Sequence, residues 1–160
     1  MSFHYPRYQE LPEGLVFIDE LVALVNEVHA DLPSSARNGR KSFTRSMASN
    51  HMKQGLTPPA VGKKYSREHI CLILFAATIK LVENAEETMA LSKLVFASGD
   101  YERVQDMLAE AFNKSMEATC EKTEGAPARC MESHDEEALL AALLSESVAA
   151  KVAAHLVAGV

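Results

Sequence analysis

The run ICLILFAATI, residues 70–79, limits what this chain can fold into more than any other feature of the sequence. Thr78 is its only polar residue, so a helix built from it is apolar on every side and has to be covered by the rest of the chain. The run is about half as long as a helix that crosses a bilayer. We therefore predict a buried core helix over residues 67–82, capped by Ser66 and with Glu68 in its first turn.

Apolar spacing and capping residues predict further helices around this core. The composition agrees, because 48% of the residues are hydrophobic, only 6% are aromatic, and Trp is absent. The predicted helices are 12–31, with Pro12 in its first turn; 45–54, from the Thr44 cap to Gly55; a helix to about 97, opened by the Asn84–Glu87 capping box; 101–120, capped by Asp100; and a C-terminal helix after the Ser133–Glu136 box. Residues 32–41 and 121–132 are predicted loops, and the expected fold class is all-α.

The segment LTPPAVGKKY, residues 56–65, interrupts this helical pattern. Pro58 and Pro59 exclude a helix, and Gly62 favours a tight turn between two short extended pieces. We predict a small wing at this point. Residues 1–98 would then form one domain, and residues 99–160 a helical region for dimerisation or effector binding.

The positive charge of the chain is concentrated in one stretch. Between Leu32 and Arg67 there is no Asp or Glu, and this stretch holds eight of the sixteen Lys and Arg residues. It carries +8 in a chain of net charge -6, so the remainder sums to -14. Such segregation is typical of a surface that binds a polyanion. The alternative is a solvated basic loop that pairs with the protein's own acids.

The predicted helix 45–54 would present one cationic, hydrogen-bonding face. Arg45, Ser49 and Lys53 recur every four residues, with Ser46 and Asn50 beside them, whereas Met47, Ala48, His51 and Met52 fall largely on the other side. Arg can bind guanine, Asn can bind adenine, and Ser and Lys can bind phosphates. An ordinary polar surface helix is the alternative, but such helices usually mix Glu with Lys.

The wing adds a second group of cations directly after this helix. Lys63 and Lys64 can neutralise phosphates, Arg67 follows at the start of the core helix, and the Tyr65 hydroxyl can donate to a phosphate. A half-buried aromatic that seats the wing is an equal alternative for Tyr65. The residues predicted to contact DNA are Arg40, Lys41, Thr44, Arg45, Ser46, Ser49, Asn50, Lys53, Lys63, Lys64, Tyr65 and Arg67.

The order of these elements carries a family resemblance. A short helix, GL-x-P-P, a basic turn, YSREH and an apolar helix resemble the winged helix-turn-helix of MerR-type regulators. More closely, Thr44, Met47, Asn50 and Lys53 at spacings of three, then Pro58-Pro59 and KKYSREH, resemble a bacterial domain-of-unknown-function family, number 1836, over residues 10–97. The resemblance implies a MerR-like winged helix-turn-helix domain and adds little about biological role.

Catalytic and metal-binding patterns are weak in this sequence. It contains no nucleophile elbow, phosphate-binding glycine loop or metalloprotease motif, so we predict no enzymatic activity and no cofactor. Cys120, Cys130 and His134 match no common zinc spacing, and a structural or incidental role is favoured over a metal site. Three cysteines cannot all pair, and the N-terminus lacks a signal-peptide pattern; we expect a cytoplasmic protein without a membrane segment.

The leading hypothesis is a transcriptional regulator that binds double-stranded DNA as a homodimer. The last helix would form the dimer contact, because its apolar stripe is too wide for one small neighbour. The runner-up is a helical protein-interaction adaptor that docks an acidic partner without DNA affinity of its own. A weaker third hypothesis is a small-molecule sensor with its pocket among Met89, Met107 and Met116, although these residues are more typical of a core.

Overall fold

The computed structural model describes residues 4–30, 42–81 and 84–124, with side chains described as far as Asn113. In these ranges the chain is mostly helical and has one small antiparallel sheet, which confirms the coarse fold prediction of helices around a small wing. The helices are α1 (Ile18–Val28), α2 (Arg45–Lys53), α3 (Arg67–Ile79), α4 (Ala85–Val95) and α5 (Tyr101–Glu124); the strands are β1 (Val16–Phe17) and β2 (Lys64–Tyr65); and a 3-10 turn covers Tyr8–Glu10.

Helix α3 is the centre of the core, as its composition predicts. Every residue from His69 to Thr78 is buried, and Leu74 and Phe75 expose 0% and 3% of their surface. The helix ends at Ile79, three residues before its predicted end at 82. Cys71 lies within this buried stretch, and burial raises the pKa of its thiol to about 12, so it behaves as a small buried hydrophobe.

Three helices begin at the capping residues that the sequence predicts. Thr44, Asn84 and Asp100 accept backbone N–H groups from the first turns of α2, α4 and α5, at 3.3, 2.9 and 3.0 Å. Each of these side-chain oxygens satisfies a donor that a helix start leaves without an intrahelical partner. Gly55 follows α2 with a φ of 77°, a conformation that favours glycine at the end of a helix.

The start of the first helix differs from the prediction. The sequence pattern predicts a helix from residue 12, but α1 begins at Ile18, because Val16 and Phe17 form β1 and pair with β2 in the wing. The carboxylate of Glu20 accepts the Phe17 N–H at 2.7 Å, which fixes this later start. Leu15 to Phe17 satisfy an apolar helical pattern and a strand pattern equally well, and the long-range pairing decides between them.

The N-terminal segment, residues 4–15, lies across α5 and is held there by side chains that bind its backbone. Tyr5 and Asn113 exchange two hydrogen bonds, with the Tyr5 N–H donating at 2.7 Å and the Asn113 amide donating to the Tyr5 carbonyl at 3.0 Å. The Tyr8 N–H donates to the Asp106 carboxylate at 2.8 Å. This segment, which includes the 3-10 turn at Tyr8–Glu10, therefore links α5 to β1.

The chain divides into two compact units, Met1–Lys114 and Ser115–Val160. The small sheet, α1 to α4 and the described side chains of α5 all belong to the first unit. The predicted boundary between residues 98 and 99 stays a prediction. Helix α5 runs to Glu124, so residues 121–124 are helical and not part of a loop; the first Gly and Pro after the start of α5 are Gly125 and Pro127.

Several predicted features lie outside the described residues. They are the whole loop 32–41, the loop beyond residue 124, the predicted C-terminal helix with its dimer contact, and the side chains of Cys120, Cys130 and His134. Within the described ranges, no helix has the length and apolar character needed to cross a membrane. Among the side chains that the structure describes, no three His, Cys, Asp or Glu residues gather into a metal site.

Candidate nucleic-acid interface

Helix α2 divides its residues between solvent and core as its sequence predicts. Ala48 and His51 are buried, with 0% and 5% exposure. The α2 face, which we define as Arg45, Ser46, Ser49, Asn50 and Lys53, lies on the other side, where Ser49 is half-buried and the rest are exposed. The face contains no acidic residue and is open to a ligand.

One acid from a neighbouring helix reaches the α2 face. The Asp19 carboxylate, in the first turn of α1, accepts two hydrogen bonds from the Arg45 guanidinium. Both side chains remain exposed, so the pair is in contact with water and worth little to stability. Its main effect is local: it neutralises part of the charge at Arg45 and orients the guanidinium.

The wing turn, residues 61–64, has the geometry of a two-residue hairpin. Val61 and Lys64 exchange two backbone hydrogen bonds of 3.1 and 3.0 Å around Gly62 and Lys63. Both central residues have positive φ, 58° for Gly62 and 63° for Lys63, as a hairpin turn of the primed type requires. Lys63 is exposed at the tip, in a conformation that costs a non-glycine residue stability.

Strand β1 connects the wing to the α2 face. Phe17 pairs with Lys64 across the small sheet, and the Lys64 ammonium lies 5.0 Å from the centre of the Phe17 ring. Two residues after Phe17 comes Asp19, which binds Arg45. The start of α1 therefore contacts both α2, through Asp19, and the wing, through Phe17.

Two predicted contact residues belong to the interior and not to this surface. Tyr65 is buried at 9% exposure, with its ring edge-on to His69 at 5.7 Å, so its ring seats the wing. The Arg67 side chain is 15% exposed, and its Nε donates to the carbonyls of Leu11 and Pro12 at 3.2 and 3.0 Å. Its guanidinium therefore holds the N-terminal segment against α3, and the phosphate contact predicted for Arg67 stays a prediction.

Two histidines support the surface from beneath. His69 accepts the Ser66 N–H at Nδ1, 3.2 Å away, and donates from Nε2 to the Pro58 carbonyl at 3.0 Å, which ties the wing to α3. His51 stacks on Phe43, with ring centres 6.3 Å apart. Burial, and secondarily the charge of Lys80, lowers the pKa of His51 to about 4, so it stays neutral near pH 7.

The remaining predicted residues have other positions. Thr44 is exposed, but its hydroxyl already caps α2; Arg40 and Lys41 lie outside the described residues. Met89 borders a shallow groove of about 530 Å³ between the end of α2 and α4, while Met107 is 49% exposed and not part of the core.

Sequence analysis missed two exposed apolar residues beside the wing lysines. Phe17 and Val61 expose 55% and 65% of their surface. The sequence alone offered no signal for Phe17, because it lies inside the helix predicted from residue 12; the structure places it at the N-cap position of α1, where Ser, Thr, Asp or Asn is favoured. A large aromatic at such a position indicates a role other than capping.

Taken together, the described residues define a mostly helical protein with a small antiparallel wing and a polar, cationic surface beside it. The family described as Domain of unknown function (DUF1836) matches residues 6–117, which is more than half of the chain, and the chain belongs to this family. The match extends beyond the expected range of 10–97 and takes in the part of α5 that binds the N-terminal segment. No curated protein and no solved structure matches the chain.

Proposed function

We propose that the protein is a transcriptional regulator that binds duplex DNA with the α2 face and the wing. The observation that carries this proposal is the series of contacts at the start of α1, where Asp19 binds Arg45 of α2 and Phe17 pairs with Lys64 of the wing. It brings cations from two elements, α2 and the wing, next to hydrogen-bonding side chains on one helix. A short exposed helix of this kind fits a major groove, and a basic wing fits the adjoining backbone.

The proposed roles follow from the chemistry of each side chain. Asn50 and Ser46 are exposed on α2 and would bind base edges, together with Arg45 once it exchanges Asp19 for DNA. Lys53, Lys63 and Lys64 would bind phosphates, which gives affinity without sequence preference. This role needs neither a catalytic group nor a cofactor.

We propose, as a finer statement of the fold, that α1, α2, the wing and α3 form a MerR-like winged helix-turn-helix. Support comes from the element order and from β1, which precedes α1 and pairs with the wing strand. The connection between α1 and α2, residues 29–44, is much longer than the three or four residues of an ordinary helix-turn-helix. This connection carries Arg37, Arg40 and Lys41, which lie outside the described residues.

The deciding experiment measures duplex affinity of the full chain at several salt concentrations, with a duplex selected from genomic fragments and a random duplex. Lys63→Ala and Lys64→Ala should weaken binding to both duplexes and lower the salt slope by about one each. Asn50→Ala should weaken the selected duplex alone, by about 1–3 kcal/mol. Lys93→Ala, an exposed lysine on α4, is the matched control and should change neither quantity.

Two outcomes would contradict this proposal. Absence of duplex binding by the wild type at low salt would contradict the DNA function and favour the adaptor hypothesis. Equal effects of Asn50→Ala and Lys63→Ala on selected and random DNA would exclude α2 as the reading helix.

The proposed regulator is a homodimer, because paired subunits bind two half-sites and gain affinity from both. The proposed contact is the apolar C-terminal helix, which lies outside the described residues. Light scattering of the DNA-free protein at micromolar concentration should give twice the chain mass, and a monomer mass would contradict the proposal.

A further inference from the structure

Three side chains form a row on the outer face of the small sheet. Phe17 and Lys64 are directly paired across β1 and β2, and Val61 lies opposite Lys64 across the wing turn. Residues directly opposite each other in antiparallel strands project to the same face. The ribbon row, defined as Phe17, Lys64 and Val61, therefore places a cation between two exposed apolar side chains.

The fold itself does not require an apolar ribbon row. The opposite face of the sheet carries Val16 and Tyr65, which are 6% and 9% exposed and supply its contact with the core. Outward positions of a sheet with one buried face are usually polar. In addition, Phe17 holds an N-cap position without capping α1, because its side chain has no hydrogen-bond acceptor; the Glu20 carboxylate accepts the N–H of Phe17 itself. Exposed apolar side chains with no structural task are typical of a contact surface.

The wing lysines favour an anionic occupant: Lys64 lies within the row, and Lys63 precedes it at the tip of the turn. The two nearby carboxylates, Asp19 and Glu20, already bind the Arg45 guanidinium and the Phe17 N–H. We infer that the ribbon row packs against the sugar–phosphate backbone of one strand of duplex DNA, with Lys64 on a phosphate and the apolar side chains on deoxyribose. This inference rests on the proposed function and adds to it a contact that carries no charge.

An uncharged contact has a distinct signature in a salt titration. Phe17→Ser and Val61→Ser should each weaken duplex binding about tenfold at every salt concentration, since each removes about 1.4 kcal/mol or more of apolar contact. The salt slope should stay at the wild-type value, because no cation is lost. Lys63→Ala, measured alongside, should lower the slope instead.

The variants are chosen so that folding does not obscure the result. Serine is favoured at an N-cap, so Phe17→Ser should retain α1, and circular dichroism checks this directly. Leu94→Ser, which changes a 49% exposed residue on α4, is the matched control and should bind DNA like the wild type.

Each other outcome overturns the inference in a recognisable way. Wild-type affinity in both serine variants, with the expected Lys63→Ala effect, contradicts the ribbon-row contact and leaves the DNA function standing. A slope lowered by about one in Phe17→Ser means that Phe17 acts only by holding Lys64. If the two serine variants weaken binding to single-stranded DNA alone, the row stacks on bases and does not pack on deoxyribose. Absence of wild-type duplex binding at low salt removes the function and the inference together.

Discussion

Asp19 on α1 holds the guanidinium of Arg45 on α2 through two hydrogen bonds, at the edge of the proposed DNA surface. The pair is an internal competitor for DNA, because a phosphate or base can gain Arg45 only by displacing a carboxylate. Asp19→Asn should therefore tighten binding to all duplexes severalfold at about 0.1 M salt and steepen the salt slope by about one. Asp100→Asn, which loosens an exposed pair with Arg103, is the matched control, and an equal gain there would contradict the prediction.

Replacing Lys63 with glycine should stabilise the fold and weaken DNA binding. The Lys63 φ of 63° is strained for any residue other than glycine. Lys63→Gly should raise the free energy of unfolding by up to about 1 kcal/mol and also weaken duplex binding, as Lys63→Ala does. Urea denaturation and a salt titration of the same variant test both halves. A variant that is less stable than the wild type would show that the lysine side chain itself supports the turn.

Arg67 should behave as a structural residue. Arg67→Met removes the hydrogen bonds to the carbonyls of Leu11 and Pro12 and should lower the free energy of unfolding by about 1–3 kcal/mol. Lys63→Ala is the surface control for urea denaturation. If Arg67→Met leaves stability unchanged and lowers the salt slope of DNA binding, then Arg67 binds a phosphate after all.

His51 should make the protein less stable in acid. Its pKa is about 4 in the fold, below the ordinary value of 6.5, so the folded state binds the proton more weakly than the unfolded state. The stabilisation is complete above pH 6.5 and is lost as the pH falls towards 4, by up to about 3 kcal/mol. His51→Gln should flatten the dependence of unfolding free energy on pH in this window. Equal dependences of the unfolding free energy on pH in the wild type and His51→Gln would contradict the assignment.

The parts of the fold that could be predicted are those fixed by neighbouring residues. Thr44, Asn84 and Asp100 cap their helices with atoms two or three positions away, and an unbroken apolar run leaves α3 no alternative to the core. Such signals are contained in a few consecutive residues, so a reader of the sequence has all of the information.

The parts that could not be predicted depend on partners far along the chain. Val16 and Phe17 form a strand because they pair with Lys64 and Tyr65, and no local sequence pattern predicts that pairing. Arg67 looked like one more cation of the basic stretch, but carbonyls at residues 11 and 12 draw its guanidinium inward. Charge counting places cations in a stretch of sequence; only tertiary contacts decide which of them face solvent.

The N-terminal segment connects the wing to α5. A single piece of backbone is anchored at Tyr5 on α5 and at Phe17 in the wing, so order at one anchor is coupled to order at the other, and such coupling is reciprocal. A ligand that binds the wing should slow hydrogen exchange at the Tyr5 amide. Breaking the Asn113–Tyr5 pair should in turn weaken the affinity for that ligand. Exchange at one buried amide near the start of the chain would then measure occupancy at the wing.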